Sequence, residues 1–506
     1  MNRITYCEQN KVITGPIHDQ LGLEQGGVSS SDLYKLYNNE ALTSAQKSGL
    51  GVEMGPSSVL SAVGQADDVA LMSNCLLKLS LILHLINNYC LKFNVQLSHS
   101  KTKPLKICPP NHDTFQPFNP IKLAGTKFEF TDQAEHVGVT KSVEGNMANL
   151  IQRISSFKRA LGSIISCGFA RAQRTNPSAT LRLLTIHGTS VLMSGLGSLV
   201  HTPQEIRIID QQHKRTLQSL LKLPVSSPAS LVHFVGGSLP GTAILHLRQL
   251  SLFGMISRLP GDPLHVLAYQ ALLTLPPTSK SWFVQVRDLH LLYQLPHPLT
   301  LLDKPLTKEK HKKLVKSKVL DYWEVKLRAE AAPLTSLKYF QPEFLSLSSP
   351  HRLLTAAGSK SYEVAKARIQ LLFLSARYPC GQLTRHWSPD SEGYCTFLRC
   401  QQRCTIETPE HILLECPAYT TTRLNLISMC LNAKNPVSNY IVTKLLLSTT
   451  DQIMQFLLDC SPIPIVIHTA QLHGDDIFND LFYLSRTWCF AIHRERMKRI
   501  GRWNFK

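Results

Sequence analysis

Two adjacent carboxylates, Asp67 and Asp68, constrain the fold of this chain more than any other pair of residues. They follow the small residues Gly64-Gln65-Ala66 and precede an apolar run that begins at Val69. A two-residue turn between short strands would bring both acids to one tip, whereas neighbours in one strand point to opposite faces. Like charges at one tip repel each other unless a cation lies there. Paired acids that hold Mg²⁺ beside phosphate are an arrangement in which such a cation is present. An exposed turn without a ligand is the simpler alternative, because Asp is common in turns.

Two further segments flank this pair. Upstream, Gln25, Gly26 and Gly27 form a stretch in which the two glycines let the backbone approach a ligand closely. Downstream, the run from Tyr89 to Leu97 has alternating strand-like character and leads into the basic turn Ser100-Lys101-Thr102. The intervening apolar stretch is interrupted by polar residues, so it predicts a buried helix and not a membrane span.

In this order the three segments resemble the later palm motifs of a reverse transcriptase of the non-LTR retrotransposon (LINE-like) type. The resemblance implies that Asp67 and Asp68 form the catalytic turn, with Asp67 as a Mg²⁺ ligand and Gln65 where the family usually has an aromatic residue. It also implies template and nucleotide support by four residues: Gln25, Gly26, Gly27 and Lys101. The implied partners are an RNA template and a DNA primer or target DNA.

A reverse transcriptase palm also needs a further metal-binding aspartate on an earlier strand, and fingers that hold the template and nucleotide. Asp19 lies three residues before Gly22, which is too close for that strand. We therefore expect a truncated copy of an RNA-directed DNA polymerase, inactive alone, in which the first aspartate, the fingers and the N-terminal endonuclease are missing. A catalytically inactive nucleic-acid-binding remnant and a gene-model fragment are the alternatives.

The charge balance indicates a polyanionic partner. Lys and Arg number 54 against 35 Asp and Glu, which gives a formal net charge of +19. This excess does not by itself separate nucleic acid from an anionic membrane surface. The first residues lack the apolar segment of a signal peptide, so the 13 cysteines are expected to be reduced or to hold metal. We expect an intracellular protein of the nucleus or cytoplasm, not secreted and with no membrane partner.

Two basic stretches have several possible readings. The densest charge run predicts a solvated helix or linker, a nucleic-acid contact or a nuclear-import signal, and it contains Lys304, Lys308, Lys310, Lys312, Lys313, Lys316 and Lys318. Tyr322 and Trp323 follow it and either stack on a base or pack into a core. The basic tail from Leu481 to Lys506 predicts either a helix that faces nucleic acid or an ordinary exposed helix.

A cluster of cysteines and one histidine predicts a zinc site. Cys395, Cys400, His411 and Cys416 follow the pattern C-x4-C-x10-H-x4-C, whose residue types can surround a tetrahedral Zn²⁺. The pattern that starts at Cys400 and uses Cys404 is also plausible, and spacing alone does not decide between them. A helix that begins near Pro409 must end or loosen, because His411 and Cys416 are five residues apart, just beyond one turn.

The block from Arg385 to Pro417 resembles the C-terminal Cys-Cys-His-Cys segment of some non-LTR elements, and in that alignment Cys395 and Cys400 are the first two ligands. We therefore expect an α+β fold, with a partial reverse transcriptase palm followed by a mostly helical thumb and C-terminal region with a small zinc-knuckle-like site. The expected segments are the palm at 1–145, the thumb and extension at 146–300, a basic helical linker region at 301–370, the zinc segment at 371–430 and a helical basic tail at 431–506.

Overall fold

The computed structural model describes residues 3–5, 8–9, 12–13, 17–19, 29–55, 58–107, 119–123, 125–143, 145–166, 176–385, 392–433 and 435–501. The chain divides into two compact units, one of residues 1–149 with 261–274 and one of residues 150–260 with 275–506. The described residues are mostly helical with a few small antiparallel sheets, which agrees with the α+β prediction. The identification of a palm and a thumb stays a prediction, and so do the boundaries of the five expected segments.

The first unit contains all twelve strands that the structure describes, paired two by two. Its elements up to residue 142 are β1 (Arg3–Thr5), β2 (Glu8–Gln9), β3 (Val12–Ile13), β4 (Ile17–Asp19), α1 (Ser30–Lys47), β5 (Val52–Gly55), β6 (Ser58–Leu60), β7 (Ala62–Gln65), β8 (Asp68–Leu71), α2 (Leu76–Lys92), β9 (Ile121–Leu123), β10 (Thr126–Phe128), β11 (Gln133–His136) and β12 (Val139–Ser142). β1 pairs with β4 and β2 with β3, and each later strand pairs with its neighbour in the chain.

Helix α2 organises the first unit because two of its faces are buried. Ile82, Ile86 and Cys90 recur at four-residue steps and pack against Ala41 and Ala45 of α1. Leu83, on a neighbouring face, packs in a second cluster with residues of β9 and β10. An apolar helix in this position confirms the prediction for the stretch after the acidic pair. Among the described residues, none of the helices combines the length and the apolar character that crossing a bilayer requires.

The predicted strand from Tyr89 to Leu97 is wrong. Helix α2 continues to Lys92, and no strand follows it before β9 in the described residues. The aromatic residues of this run have a helical spacing, and the rings of Tyr89 and Phe93 pack around Tyr37 of α1. This tertiary contact favours the helix over the alternation that the sequence displays.

The remaining helices, in chain order, are α3 (Met147–Ser166), α4 (Pro177–Leu183), α5 (Thr189–Leu192), α6 (Pro203–Leu221), α7 (Ala229–Gly236), α8 (Gly241–Ile256), α9 (Pro263–Thr274), α10 (Trp282–Leu292), α11 (Pro298–Asp303), α12 (Lys308–Ala331), α13 (Arg352–Ala356), α14 (Ser361–Leu374), α15 (Gly381–Thr384), α16 (Leu398–Gln401), α17 (Thr420–Leu431), α18 (Pro436–Leu446), α19 (Thr450–Leu458), α20 (Pro464–His473) and α21 (Asp476–Arg499). Short 3₁₀ turns (Leu196–Ser198, Thr335–Leu337, Pro342–Phe344 and Pro417–Tyr419) and two π-helical turns (Leu184–Gly188 and His411–Glu415) connect some of them. Helix α9 belongs to the first unit.

Helix α21 is the central helix of the second unit. It contacts α13, α14, α17, α18, α19 and α20. The tail is helical as predicted, but Trp488, His493 and Arg496 are buried, so this part of it is not an ordinary exposed helix. That the tail faces nucleic acid stays a prediction. Its arginines can be buried because carboxylates meet them: Arg486 pairs with Glu363 of α14 at 2.8 Å. Sequence charge alone does not distinguish such paired cations from solvated ones.

Helix α12 buries every fourth residue, from His311 to Ala331, while most of its lysines are exposed. Trp323 is buried, and its indole Nε1 donates to the hydroxyl of Tyr293 at 3.0 Å. The ring of Tyr322 packs edge-on against Tyr293 as well. Of the two alternatives for these aromatic residues, core packing is the one that the structure shows.

Five histidines of the second unit are buried, and burial favours the neutral ring. Burial lowers the pKa of four of them to about 4, namely His213, His246, His290 and His493. Burial lowers the pKa of His233 to about 3, and the stacked ring of His213, 6.0 Å away, adds to this. Near neutral pH the fold therefore favours the neutral ring at all five positions.

We predict that the free energy of unfolding falls between about pH 7.5 and pH 5. The folded pKa values lie below the unfolded value near 6.5, so the unfolded chain takes up protons first as the pH falls. The contribution of each histidine to stability is complete above pH ~6.5 and is lost as the pH falls towards ~4. At pH 5 the loss is roughly 1–2 kcal/mol for each histidine. Urea unfolding at the two pH values measures this. His213→Gln should make the free energy of unfolding less dependent on pH, whereas His473→Gln, at an exposed position, should not. Equal stability of the wild type at both pH values would contradict the prediction.

Candidate metal centre

Four side chains of one short segment meet in the second unit. The ligand atoms of Cys395, Cys400, His411 and Cys416 all lie within 4.8 Å of one another, and all four residues are buried. The Sγ atom of Cys416 lies 3.8 Å from that of Cys395 and 4.0 Å from that of Cys400. Sulfur ligands about 2.3 Å from a tetrahedral Zn²⁺ are about 3.8 Å apart. The cluster therefore has the composition and the spacing to hold a metal ion such as zinc.

A tight loop positions the first two ligands. An antiparallel bridge between Tyr394 and Ile406 closes its base, and the backbone N–H of Cys395 donates to Thr405 O at 2.9 Å. Within the loop, α16 places Cys400 inward. Cys404 is exposed, has a left-handed φ of +50° and is not part of the cluster. The arrangement thus brings together the ligand set with Cys395, and the alternative set with Cys404 does not assemble.

A widened helical turn positions the last two ligands. Residues from Pro409 onward are helical, and His411–Glu415 form a π-helical turn. The N–H of Cys416 donates to His411 O at 2.7 Å, a five-residue step that an α-helix does not make. The chain then turns extended at Cys416, before Pro417. The expectation that the helix must loosen and end to bring these two residues together is confirmed.

The imidazole of His411 is arranged as a metal ligand. Its Nε2 is buried and has no hydrogen-bond partner, which is costly for a polar atom unless a ligand takes it. Its Nδ1 lies 3.7 Å from a carboxylate oxygen of the more exposed Glu415. Histidine ligands of zinc commonly direct their second nitrogen to a carboxylate in this way. The residues present therefore fit zinc through Nε2.

The electrostatics of the three thiols also favour a cation. A hydrogen bond from Cys416 lowers the pKa of Cys395, and the same bond raises the pKa of Cys416. Burial, and then the charge on Cys395, raises the pKa of Cys400. The protein alone therefore stabilises one thiolate and disfavours the next. A central Zn²⁺ would stabilise all three, since thiolate is the form that binds metal.

The metal segment is attached to α21 by a buried ion pair. Arg496 Nε and Nη2 donate to the two carboxylate oxygens of Glu407 at 2.9 and 2.8 Å. Burial would lower the pKa of Arg496, but the hydrogen bonds to Glu407 raise it. The N–H of Gly381 donates to the same carboxylate at 2.8 Å, and Trp488 Nε1 donates to Leu413 O at 3.3 Å. Sequence reasoning missed this pair, and the nearest available signal was Glu407 four residues before His411.

Two glycines complete this attachment. A Cβ atom at Gly381 would lie 2.1 Å from the carbonyl oxygen of Gly393, so the two backbones meet where a side chain has no space. Gly393 itself has a φ of +75°, a conformation that glycine adopts without strain. Because Gly393 directly precedes the loop of Cys395, this close approach helps to fix the first metal ligand.

The acidic pair of the first unit lies on a tight hairpin, as the sequence predicts. β7 and β8 pair with Gln65 opposite Asp68, and Ala66 and Asp67 form the turn, with Ala66 at a left-handed φ of +53°. Helix α1 lies close to this hairpin: a Cβ atom at Gly64 would be 2.8 Å from Leu42. Burial raises the pKa of Tyr34 on α1, and the nearby charge of Asp67 adds to this.

Among the described residues, the other predicted polymerase residues do not complete a metal site at this hairpin. Asp67 and Asp68 are exposed, and in the described part of the chain no third carboxylate, histidine or cysteine forms a metal-binding group with them. Lys101 is exposed in a turn after α2. Gln25, Gly26 and Gly27 lie outside the described residues. No protein-family model matches this chain, and no curated protein sequence matches it.

We expect the purified chain to hold one zinc ion. Cys395→Ser should lose it, because this removes one of four ligands, and Cys404→Ser should keep it. Metal analysis of the full-length proteins measures this, and the melting temperature should fall only in the first variant. Zinc retained by Cys395→Ser and lost by Cys404→Ser would show that the other ligand set is correct.

We also expect Arg496→Met to destabilise the second unit by about 3–5 kcal/mol, because Glu407 would stay buried without its partner. Arg499→Met is a matched control on the same helix, since Arg499 is exposed and its ion pair with Glu495 lies at the surface. This control should change the free energy of unfolding by less than about 1 kcal/mol. Urea titration of both variants measures the difference, and equal effects would contradict a special role for the buried pair.

Proposed function

We propose that this chain derives from the reverse transcriptase of a non-LTR retrotransposon and binds nucleic acid. The observation that carries the proposal is the β7–β8 hairpin, which presents Asp67 and Asp68 at its tip beside α1. In the family that the sequence resembles, an adjacent acidic pair on such a turn is the catalytic element. The order of the elements supports the same origin, since α1 precedes the hairpin and α2 follows it.

Within this proposal, RNA-directed DNA polymerase activity needs more than the acidic pair. Phosphoryl transfer with two metal ions needs carboxylates that clamp both the attacking and the leaving oxygens. Asp67 and Asp68 supply two carboxylates, and the described residues place no third ligand with them. This ligand set does not fit a complete Mg²⁺ site. It favours the second candidate, a nucleic-acid-binding protein without polymerase activity, whose partners are RNA or target DNA.

We further propose that the ion held by Cys395, Cys400, His411 and Cys416 is zinc with a structural role. Four protein ligands leave no open position for a substrate or a water molecule. The ion would hold the loop of Cys395 to the widened turn of His411, and Glu407 would hold both to α21. Zinc would therefore contribute to the stability of the second unit rather than to catalysis.

We predict that the purified chain does not extend a DNA primer annealed to an RNA template in the presence of Mg²⁺ and deoxynucleotides. The reason is the incomplete set of carboxylates around Asp67. Primer extension assays with the full-length protein test this. Mg²⁺-dependent incorporation that disappears in Asp67→Asn would overturn the second candidate and establish polymerase activity for this hairpin.

A further inference from the structure

The exposed side of α12 carries a concentrated positive charge. Lys308, Lys310, Lys312, Lys313 and Lys316 are all exposed, and we call them the α12 lysine face. The neighbouring row of the helix, about 60° around its axis from Lys308, Lys312 and Lys316, packs against α7 and α8. It buries His311, Val315 and Val319. Glu309 is the only acidic residue between Lys304 and Lys318. Among the described residues, no ion pair joins a carboxylate to any lysine of this face.

This arrangement is electrostatically unfavourable in the isolated protein. Lys308, Lys312 and Lys316 follow one another at four-residue steps, so neighbouring ammonium groups repel each other along one row. The face also occupies the first turns of α12, where the helix dipole disfavours cations. A fold that only needed solubility could place acidic residues among these lysines. A polyanion bound to this face would relieve both repulsions at once.

We propose that the α12 lysine face binds the phosphate backbone of a nucleic-acid duplex without sequence preference. The ligand class rests on the proposed function, whereas the location and the mode of binding rest on α12. The three lysines of the row span about 12 Å of helix axis. A duplex carries one phosphate charge per ~1.7 Å of its own axis when both strands are counted, so a length equal to that of this row carries roughly seven charges. A rigid row of point charges suits such a regular array.

The residue types of this stretch support a backbone contact rather than base recognition. Between Lys304 and Lys318 there is no Phe, Tyr or Trp on which the bases of a single strand could stack. There is also no Arg, Asn or Gln, the residues that usually read base edges in the major groove. Lysine alone supplies charge without directional readout, which positions a duplex but does not select its sequence.

The same stretch argues against an anionic membrane as the ligand. A helix that lies in a membrane surface inserts an apolar face between the lipids. The apolar residues Val315 and Val319 of α12 are only 3% and 0% exposed, because they pack in the core of the second unit. The lysine face therefore has charge to offer a membrane but no apolar side to insert.

The test compares two triple variants of the full-length, zinc-loaded protein. One is Lys308→Gln, Lys312→Gln and Lys316→Gln, which keeps helix propensity nearly unchanged. The matched control is Arg207→Gln, Lys360→Gln and Lys444→Gln, three exposed cations on or next to other helices that remove the same charge. Binding to a mixed-sequence DNA duplex of about two helical turns, and to an RNA–DNA hybrid, is measured between roughly 50 and 200 mM salt.

We expect the slope of log affinity against log salt to become less negative by about 2.7 in the α12 variant, which corresponds to three lost phosphate contacts. The control should leave this slope within about one contact of the wild type. The melting temperature of the α12 variant should be equal or higher, because a repulsive row is removed. Two duplexes of different sequence should be bound equally.

Five outcomes would overturn the inference. An unchanged slope in the α12 variant, or an equal loss in the control, would remove the special role of this face and leave the proposed function intact. Tighter binding of a single strand than of the duplex would assign a different ligand. Binding to vesicles of acidic phospholipid that is lost in the α12 variant, with duplex binding retained, would identify a membrane surface. A wild-type chain that holds zinc and binds no nucleic acid would refute the proposed function itself.

Discussion

The buried ion pair between Glu407 and Arg496 is the interaction on which the second unit depends. It joins the metal segment, which contains little regular structure of its own, to the helix that contacts α13, α14 and α17 to α20. A buried pair adds little net stability compared with apolar packing, but it penalises any arrangement that separates its members. The bidentate geometry therefore fixes the register of the metal segment on α21. Glu407 lies four residues before His411, so this attachment holds the chain close to the metal ligands.

The distribution of charge in the second unit follows from the scarcity of acidic residues. Several of its carboxylates are used inside the protein: Glu407 with Arg496, Glu363 with Arg486 and Lys366, and Asp459 with His351. Each of these pairs allows a cationic or polar side chain to be buried. Lysines in excess of the carboxylates remain at the surface, with α12 as their densest group. Buried histidines complete the pattern, because they are neutral and need no counter-ion.

Local strain marks both candidate sites. The Asp67–Asp68 hairpin turns through Ala66 at a positive φ, which costs an alanine more than a glycine. The metal centre uses a π-helical turn, a rare geometry that gives up regular α-helical hydrogen bonds. In each case the strained backbone presents a pair of ligand-type side chains on one side. Packing against α1 and α21, respectively, stabilises these conformations within their own units.

The sequence by itself determined the hairpin at the acidic pair, the apolar helix after it and the need for a widened turn between His411 and Cys416, because each follows from local spacing. It did not determine which cysteines meet. Cys395 and Cys404 have comparable spacing, and only the bridge between Tyr394 and Ile406 directs one inward and leaves the other exposed. The tertiary structure also decided which arginines of the basic tail are buried. Whether an arginine is solvated or buried depends on a carboxylate brought near by folding, as Glu407 meets Arg496 from 89 residues away.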